Sequence, residues 1–197
     1  MAPAFSAVLL AAGRSTRMGR DKALLEADGT PLWRHQRETL AQAGADEIFL
    51  SVRPEQPWAA KAEGFSGVVH DAILDGGPVV GVTAALERAT NPWVAALAID
   101  LPKMTPAWFR GLFWECASGV GVVGRRGEYF EPLAAIYPRE VRFLAWEAIA
   151  RGEYSFQRLL AAATAGGLMR VREITVAEAP WFENWNERNL VPPRPEV

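Results

Sequence analysis

Leu10-Ala11-Ala12-Gly13-Arg14-Ser15-Thr16-Arg17-Met18-Gly19-Arg20-Asp21-Lys22 follows directly on an apolar run that begins at Phe5. That run is short, apolar on both faces and stopped by Gly13, so it reads as a buried strand. A strand that empties into small residues, two glycines and four cations is a place to hold phosphates. Gly13 and Gly19 let backbone approach a ligand closely, the amides can face an anion, and Arg14, Arg17, Arg20 and Lys22 supply charge. The alternative is a strand-turn segment whose basic residues are merely solvated. The spacing excludes two common phosphate loops. A Walker loop starting at Gly13 needs glycine where Met18 stands, no Lys-Ser or Lys-Thr pair follows, and Gly-x-Gly-x-x-Gly is absent.

The length of 197 residues suits one large domain with a sheet covered on both sides. Residues 1–190 are expected to form a single domain, with a frayed tail over 191–197. A hydrophobic content of 50% with 22% charged residues fits a globular chain and argues against disorder. The formal net charge of -2 gives no whole-molecule attraction to nucleic acid or to an anionic membrane, so cationic function must be local. One cysteine, Cys116, cannot form an internal disulfide, and with His35 and His70 it has no metal-ligand spacing. No apolar stretch approaches a membrane span, and no basic segment precedes the first apolar run. A cytoplasmic protein without structural zinc is expected.

Strand and helix signals alternate over most of the chain. Thr30 as N-cap, Pro31 at the first helical position and Gly44 past the end frame a helix over 31–43, with Trp33 in the core. A strand over 48–52, a brief one at 68–69, a helix over 79–89 and a continuous apolar strand over 93–99 follow. Thr105-Pro106 starts a helix to about residue 116. Residues 120–123 and 132–137 read as strands separated by a turn at Gly124-Arg125-Arg126-Gly127, then helices over 139–150 and 155–165 and a last strand over 169–176. The pattern predicts an α/β fold: a three-layer αβα sandwich with a mainly parallel, Rossmann-like sheet and an antiparallel element in the second half.

In open α/β sheets ligands collect at the carboxyl ends of the strands, so Gly13, Ser51, Asp71 and Asp100 would line one crevice if their strands are parallel. That crevice suits a nucleoside triphosphate. Attack on its α-phosphate asks the protein to align reactants and neutralise charge, usually with magnesium. Lys22, helped by Arg14 and Arg17, is the leading phosphate ligand, and Asp100, where the strand stops, is the leading Mg2+ carboxylate. The competing reading of Asp100 is a cap for the turn through Leu101-Pro102.

Leu-Ala-(Ala/Gly)-Gly-x-x-x-Arg-Met-Gly-x-Asp-Lys, as residues 10–22 spell it, resembles the signature of the molybdenum cofactor guanylyltransferase family, which attaches a nucleotide to molybdopterin. The likeness extends to Gly77-Pro78-Val79-Val80-Gly81, Ile99-Asp100-Leu101-Pro102, Glu131-Pro132-Leu133 and Phe182-Glu183-Asn184-Trp185-Asn186. It implies nucleotide binding by Leu10, Ala11, Ala12 and Gly13, phosphate binding by Lys22, guanosine binding by Asp71 and magnesium at Asp100. It also implies an active-site asparagine, for which Asn186 ranks above Asn184 as a second metal contact. The implied reaction is magnesium-dependent transfer of GMP from GTP to the terminal phosphate of Mo-molybdopterin, releasing pyrophosphate, with a protein partner handing over the pterin. Ala12 in place of glycine resembles the cytidylyltransferase branch, Ser51-Val52-Arg53 stands where asparagines are usual near the base, and the tail after Asn186 lacks the usual Thr-Pro. CMP transfer from CTP and a non-catalytic nucleotide-binding module are therefore the alternatives.

Overall fold

The computed structural model describes residues 4–13, 21–27, 29–70 and 76–185. In chain order, β1 (Phe5–Leu10) is followed by the short β2 (Glu26–Ala27) and β3 (Thr30–Pro31), then α1 (Leu32–Ala43), β4 (Ala45–Val52) and β5 (Gly67–His70). Next come α2 (Pro78–Arg88), β6 (Trp93–Ala98), α3 (Pro106–Glu115), β7 (Gly121–Arg126), β8 (Tyr129–Pro138), α4 (Val141–Ala150), α5 (Phe156–Ala165) and β9 (Met169–Glu173). Among the described residues, seven strands make one sheet in the order β5-β4-β1-β6-β8-β7-β9, and β2 pairs with β3 in a second. β5, β4, β1 and β6 are parallel, β7 and β9 are parallel, and β8 runs antiparallel between β6 and β7. This is the expected mainly parallel sheet with one antiparallel strand.

All six residues of β1 are buried, because successive side chains point to opposite covered faces. Ala7 and Leu9 pack with Leu32 and Leu40 of α1 and Phe109 and Leu112 of α3. Val8 and Leu10 pack instead with Val79 and Val82 of α2, Val141 of α4 and Leu160 of α5. Two apolar clusters on either side of one sheet make the three layers. From β1 the chain builds outward through β4 to β5, then returns past β1 to place β6 on its other side. The strand order therefore reverses between β1 and β6, where the loops leaving two neighbouring strands diverge and open a crevice.

Most element ends follow their local signals. Gly44, at φ 109°, ends α1 with its N–H directed at Leu40 and Ala41 carbonyls, and Pro78 opens α2. The Thr105 hydroxyl accepts the Trp108 amide at the start of α3. Thr30 differs from the expectation: it pairs with Ala27 in the small hairpin, and Pro31 takes the N-cap place with no side-chain bond. The turn expected at residues 124–127 is also shorter, since Gly124, Arg125 and Arg126 all belong to β7. Gly124 is small for packing reasons: a Cβ there would stand 2.9 Å from the Trp108 ring. The last strand ends at Glu173, where Thr175 and Glu178 bond each other and turn the chain back.

Gly121 carries a similar constraint at the opposite end of β7. A Cβ would lie 2.2 Å from the Ile136 carbonyl oxygen and 2.7 Å from Pro138 Cδ, both on the paired strand. Gly121→Ala is expected to destabilise the chain by about 1–3 kcal/mol by forcing β7 away from β8. Urea unfolding checks it, and an unchanged midpoint would contradict the tight β7–β8 approach.

Candidate active site

Hydrogen bonds of the sheet continue past the end of β1 on both sides. The Ile99 amide donates to the Leu10 carbonyl at 3.0 Å, and the Ala11 amide donates to the Ser51 carbonyl at 2.8 Å. The backbone of residues 10–13 thus emerges at the reversal point of the sheet, and exposure rises from buried Ala11 through Ala12 to exposed Gly13. Among the described residues, a Cβ on Gly13 would meet nothing within 4 Å.

The chain returns to this point at Asp21, whose carboxylate caps a 3-10 turn over Lys22–Leu24 by accepting the Ala23 amide at 3.1 Å. Lys22 follows at once. Its Nζ stands 3.3 Å from Asp100 Oδ2, with about a quarter of each side chain exposed. The two residues are far apart in sequence and meet because β1 and β6 are neighbours, each sending its following loop to the same end of the sheet.

The turn carrying Asp100 is held from two directions. From α1, buried Gln36 donates to the Leu101 carbonyl at 2.6 Å, and a His35 ring nitrogen bonds the Pro102 carbonyl at 3.0 Å. From the C-terminal segment, the Trp185 amide donates to the Asp100 carbonyl at 2.9 Å. That segment is anchored by Phe182, buried and set edge-on against Trp108 at 5.0 Å between ring centroids. Trp108 donates its indole N–H to the Ala134 carbonyl on β8, and the Arg172 guanidinium lies over its ring. Burial alone would raise the Glu178 carboxyl, but bonds from Thr175 and Arg172 outweigh it and hold it below the usual range.

Leu10, Ala11, Ala12, Gly13, Lys22, Ser51 and Asp100 therefore gather at one end of the sheet, although Ser51 itself is fully buried. Arg14, Arg17, Asp71 and Asn186 lie outside the described residues. Among the described residues no group of three or more His, Cys, Asp or Glu side chains forms a metal cage. Magnesium needs no such cage, since one or two carboxylates commonly suffice when phosphate and water complete its shell. A strand-end carboxylate beside a lysine and a glycine bend fits that donor set. Burial pushes the Cys116 thiol up to about 12, so it stays protonated and offers no thiolate nucleophile.

Three side chains fix the two ends of this stretch without any sequence signal for that role: Arg53 and Gln56, which donate to the Ala12 and Ala11 carbonyls, and Trp58, which donates to Asp21. Their partners lie dozens of positions away, and the only local hint was Asp21, a carboxylate inside a basic stretch that has to be satisfied somewhere.

The family model for a MobA-like NTP transferase domain matches residues 7–167. The chain belongs to the MobA-like NTP transferase family. A relative from Opitutus terrae, named "Probable molybdenum cofactor guanylyltransferase", is 40% identical over 191 residues, which is 95% of this chain and 91% of that protein. A molybdenum cofactor guanylyltransferase of Pseudomonas putida is 34% identical across 84% of this chain and 87% of its own length. The crystal structure of the molybdopterin-guanine dinucleotide biosynthesis protein A from Archaeoglobus fulgidus superposes with a TM-score of 0.74 over 92% of both chains. At 20% identity that likeness is one of fold. The MobA-like family is one of nucleotidyltransferases, and no described helix of this member is long and apolar enough to cross a membrane.

Proposed function

We propose that this member of the family is a magnesium-dependent molybdenum cofactor guanylyltransferase, moving GMP from GTP to the terminal phosphate of Mo-molybdopterin with release of pyrophosphate. The observation that carries the reading is the 3.3 Å approach of Lys22 Nζ to Asp100 Oδ2 at the end of the sheet where the backbone leaves β1. A cation for phosphate and an anion for metal stand side by side, each already compensated by the other. With a metal-triphosphate in the crevice, Lys22 would pair with phosphate oxygen and Asp100 would hold the metal, so neither charge would be left unpaired.

A phosphate oxygen of the acceptor attacks the α-phosphorus, a P–O bond forms, and the bond to pyrophosphate breaks. Residues of this chain need only orient the triphosphate and neutralise its charge, as in other phosphoryl transfers. Magnesium, when bound, offsets charge on the phosphates. On this reading Arg14 and Arg17 add cationic contacts to the phosphates, Asp71 contacts guanosine, and Asn186 joins Asp100 at the metal. A cytoplasmic enzyme receiving its pterin from a protein partner completes the picture. The names of the relatives at 40% and 34% identity favour guanine. Ala12, in place of the first glycine of the usual pair, resembles the cytidylyltransferase branch and favours the second reading, CMP transfer.

Pyrophosphate release with Mo-molybdopterin and GTP, CTP or ATP tests both. Release is expected with GTP, dependent on Mg2+. Equal or greater turnover of CTP would replace the guanylyl assignment by the cytidylyl one, and no turnover with any triphosphate would remove catalysis altogether.

A further inference from the structure

Gln56 is buried, at 5% exposure, and joins three segments of the chain. Its Nε2 donates to the Ala11 carbonyl at 3.0 Å and to Asp21 Oδ2 at 2.6 Å, while its Oε1 accepts the Arg53 amide at 2.7 Å. Ala11 is where the chain enters the glycine- and arginine-rich bend, and Asp21 is where it leaves. One side-chain amide therefore ties both ends of that bend to the segment that follows β4. The Trp58 indole N–H adds a second bond to the same Asp21 oxygen at 2.7 Å, and the Ala23 amide takes the other oxygen at 3.1 Å. With three donors on its carboxylate, Asp21 has little freedom left, and Lys22 is the next residue.

We propose that Gln56 is a positioning residue for the transfer reaction: it holds Asp21 against the end of β1 and thereby aims Lys22 at Asp100. The inference rests on the nucleotidyltransferase reading above for its effect on turnover, though not for the clamp itself. A buried amide suits this better than a charged group, because it offers a donor to two acceptors and an acceptor to one donor without leaving a charge unpaired.

Steady-state kinetics and amide hydrogen exchange on three variants test the clamp. Gln56→Ala is expected to raise the triphosphate KM about tenfold, with the acceptor KM within about twofold, since small misplacements of a binding group cost heavily. Gln56→Glu should be worse, because its carboxylate would face the Ala11 carbonyl and the Asp21 carboxylate, acceptor against acceptor. Combining Gln56→Glu with Asp21→Asn places a donor opposite that carboxylate, though it gives up the Trp58 bond, and should recover part of the added loss. Independently of any substrate, Gln56→Ala should speed exchange at the Ala23 and Leu24 amides about tenfold while β1 and β6 keep their protection.

Uniformly faster exchange with an unchanged triphosphate KM would mean that Gln56 serves folding alone, and the proposal would be overturned. Unchanged exchange at Ala23 and Leu24 would overturn it too. A wild-type protein that binds no triphosphate, with Gln56→Ala still speeding exchange at Ala23 and Leu24 alone, would sink the proposed function while leaving the clamp standing.

Discussion

Asp100→Asn will lower magnesium-dependent turnover by about 10²–10³-fold, comparable to removing one preorganised electrostatic group from a transition state, while leaving the fold in place. The asparagine is isosteric, and its oxygen can still accept a bond from Lys22. The contacts that fix the turn also survive: Gln36 to the Leu101 carbonyl and the Trp185 amide to the Asp100 carbonyl involve no carboxylate. What disappears is the negative charge. Lys22 is then left beside a neutral group, and a divalent ion entering the crevice meets no anionic protein oxygen from β6. The loss should appear as a rise in the magnesium concentration needed for half-maximal rate together with a lower ceiling, read from pyrophosphate release across a magnesium titration. A variant with the wild-type magnesium curve would show that Asp100 serves only the turn through Leu101-Pro102.

The parts of this site legible in the sequence are those that local chemistry encodes. An apolar run stopped by glycine and followed by cations announces a strand and a phosphate bend within a single window, and β1 with residues 10–13 lies as that window implies. Asp100 was legible because a carboxylate immediately after a buried parallel strand can only emerge at the ligand-bearing end of the sheet. The clamp was illegible for the opposite reason. Gln56 and Trp58 sit in a segment with weak periodicity, and their meaning lies wholly in Ala11 and Asp21, which only the tertiary fold brings near.

Gly124 was read as a turn because glycine has two uses, conformational freedom and bareness. Here it is the second, set by the ring of Trp108 against β7. The path from Trp108 through Phe182 to the Trp185 amide on Asp100 was equally hidden, since aromatic residues without a period give no direction. The consequence for function is that the electrostatic pair is local to two loop ends, whereas its rigidity is collected from α1, α3, β9 and the segment after β4. Substitutions far from the crevice in sequence should therefore disturb the pair as readily as changes within residues 10–22.

Lys22→Ala carries the other large effect, and its value lies in separating binding from stability. The Lys22–Asp100 pair is partly exposed, and ion pairs of that kind are worth about 0–1 kcal/mol to folding. The ligand-free melting temperature should therefore move little. Triphosphate affinity should fall about a hundredfold, which is about 2.7 kcal/mol, because the same ammonium would otherwise meet several phosphate charges at close range. Ligand-dependent melting makes the contrast measurable. At a GTP concentration 100 times the wild-type dissociation constant, with Mg2+ present, binding stabilises the wild-type chain by about 2.7 kcal/mol. At that same concentration a variant binding a hundredfold more weakly would be only half saturated, and its gain would shrink to about 0.4 kcal/mol. Equal shifts for the two proteins would show that the lysine takes no part in holding phosphate. A large drop in the ligand-free melting temperature would show that the pair belongs to the fold and not to the reaction.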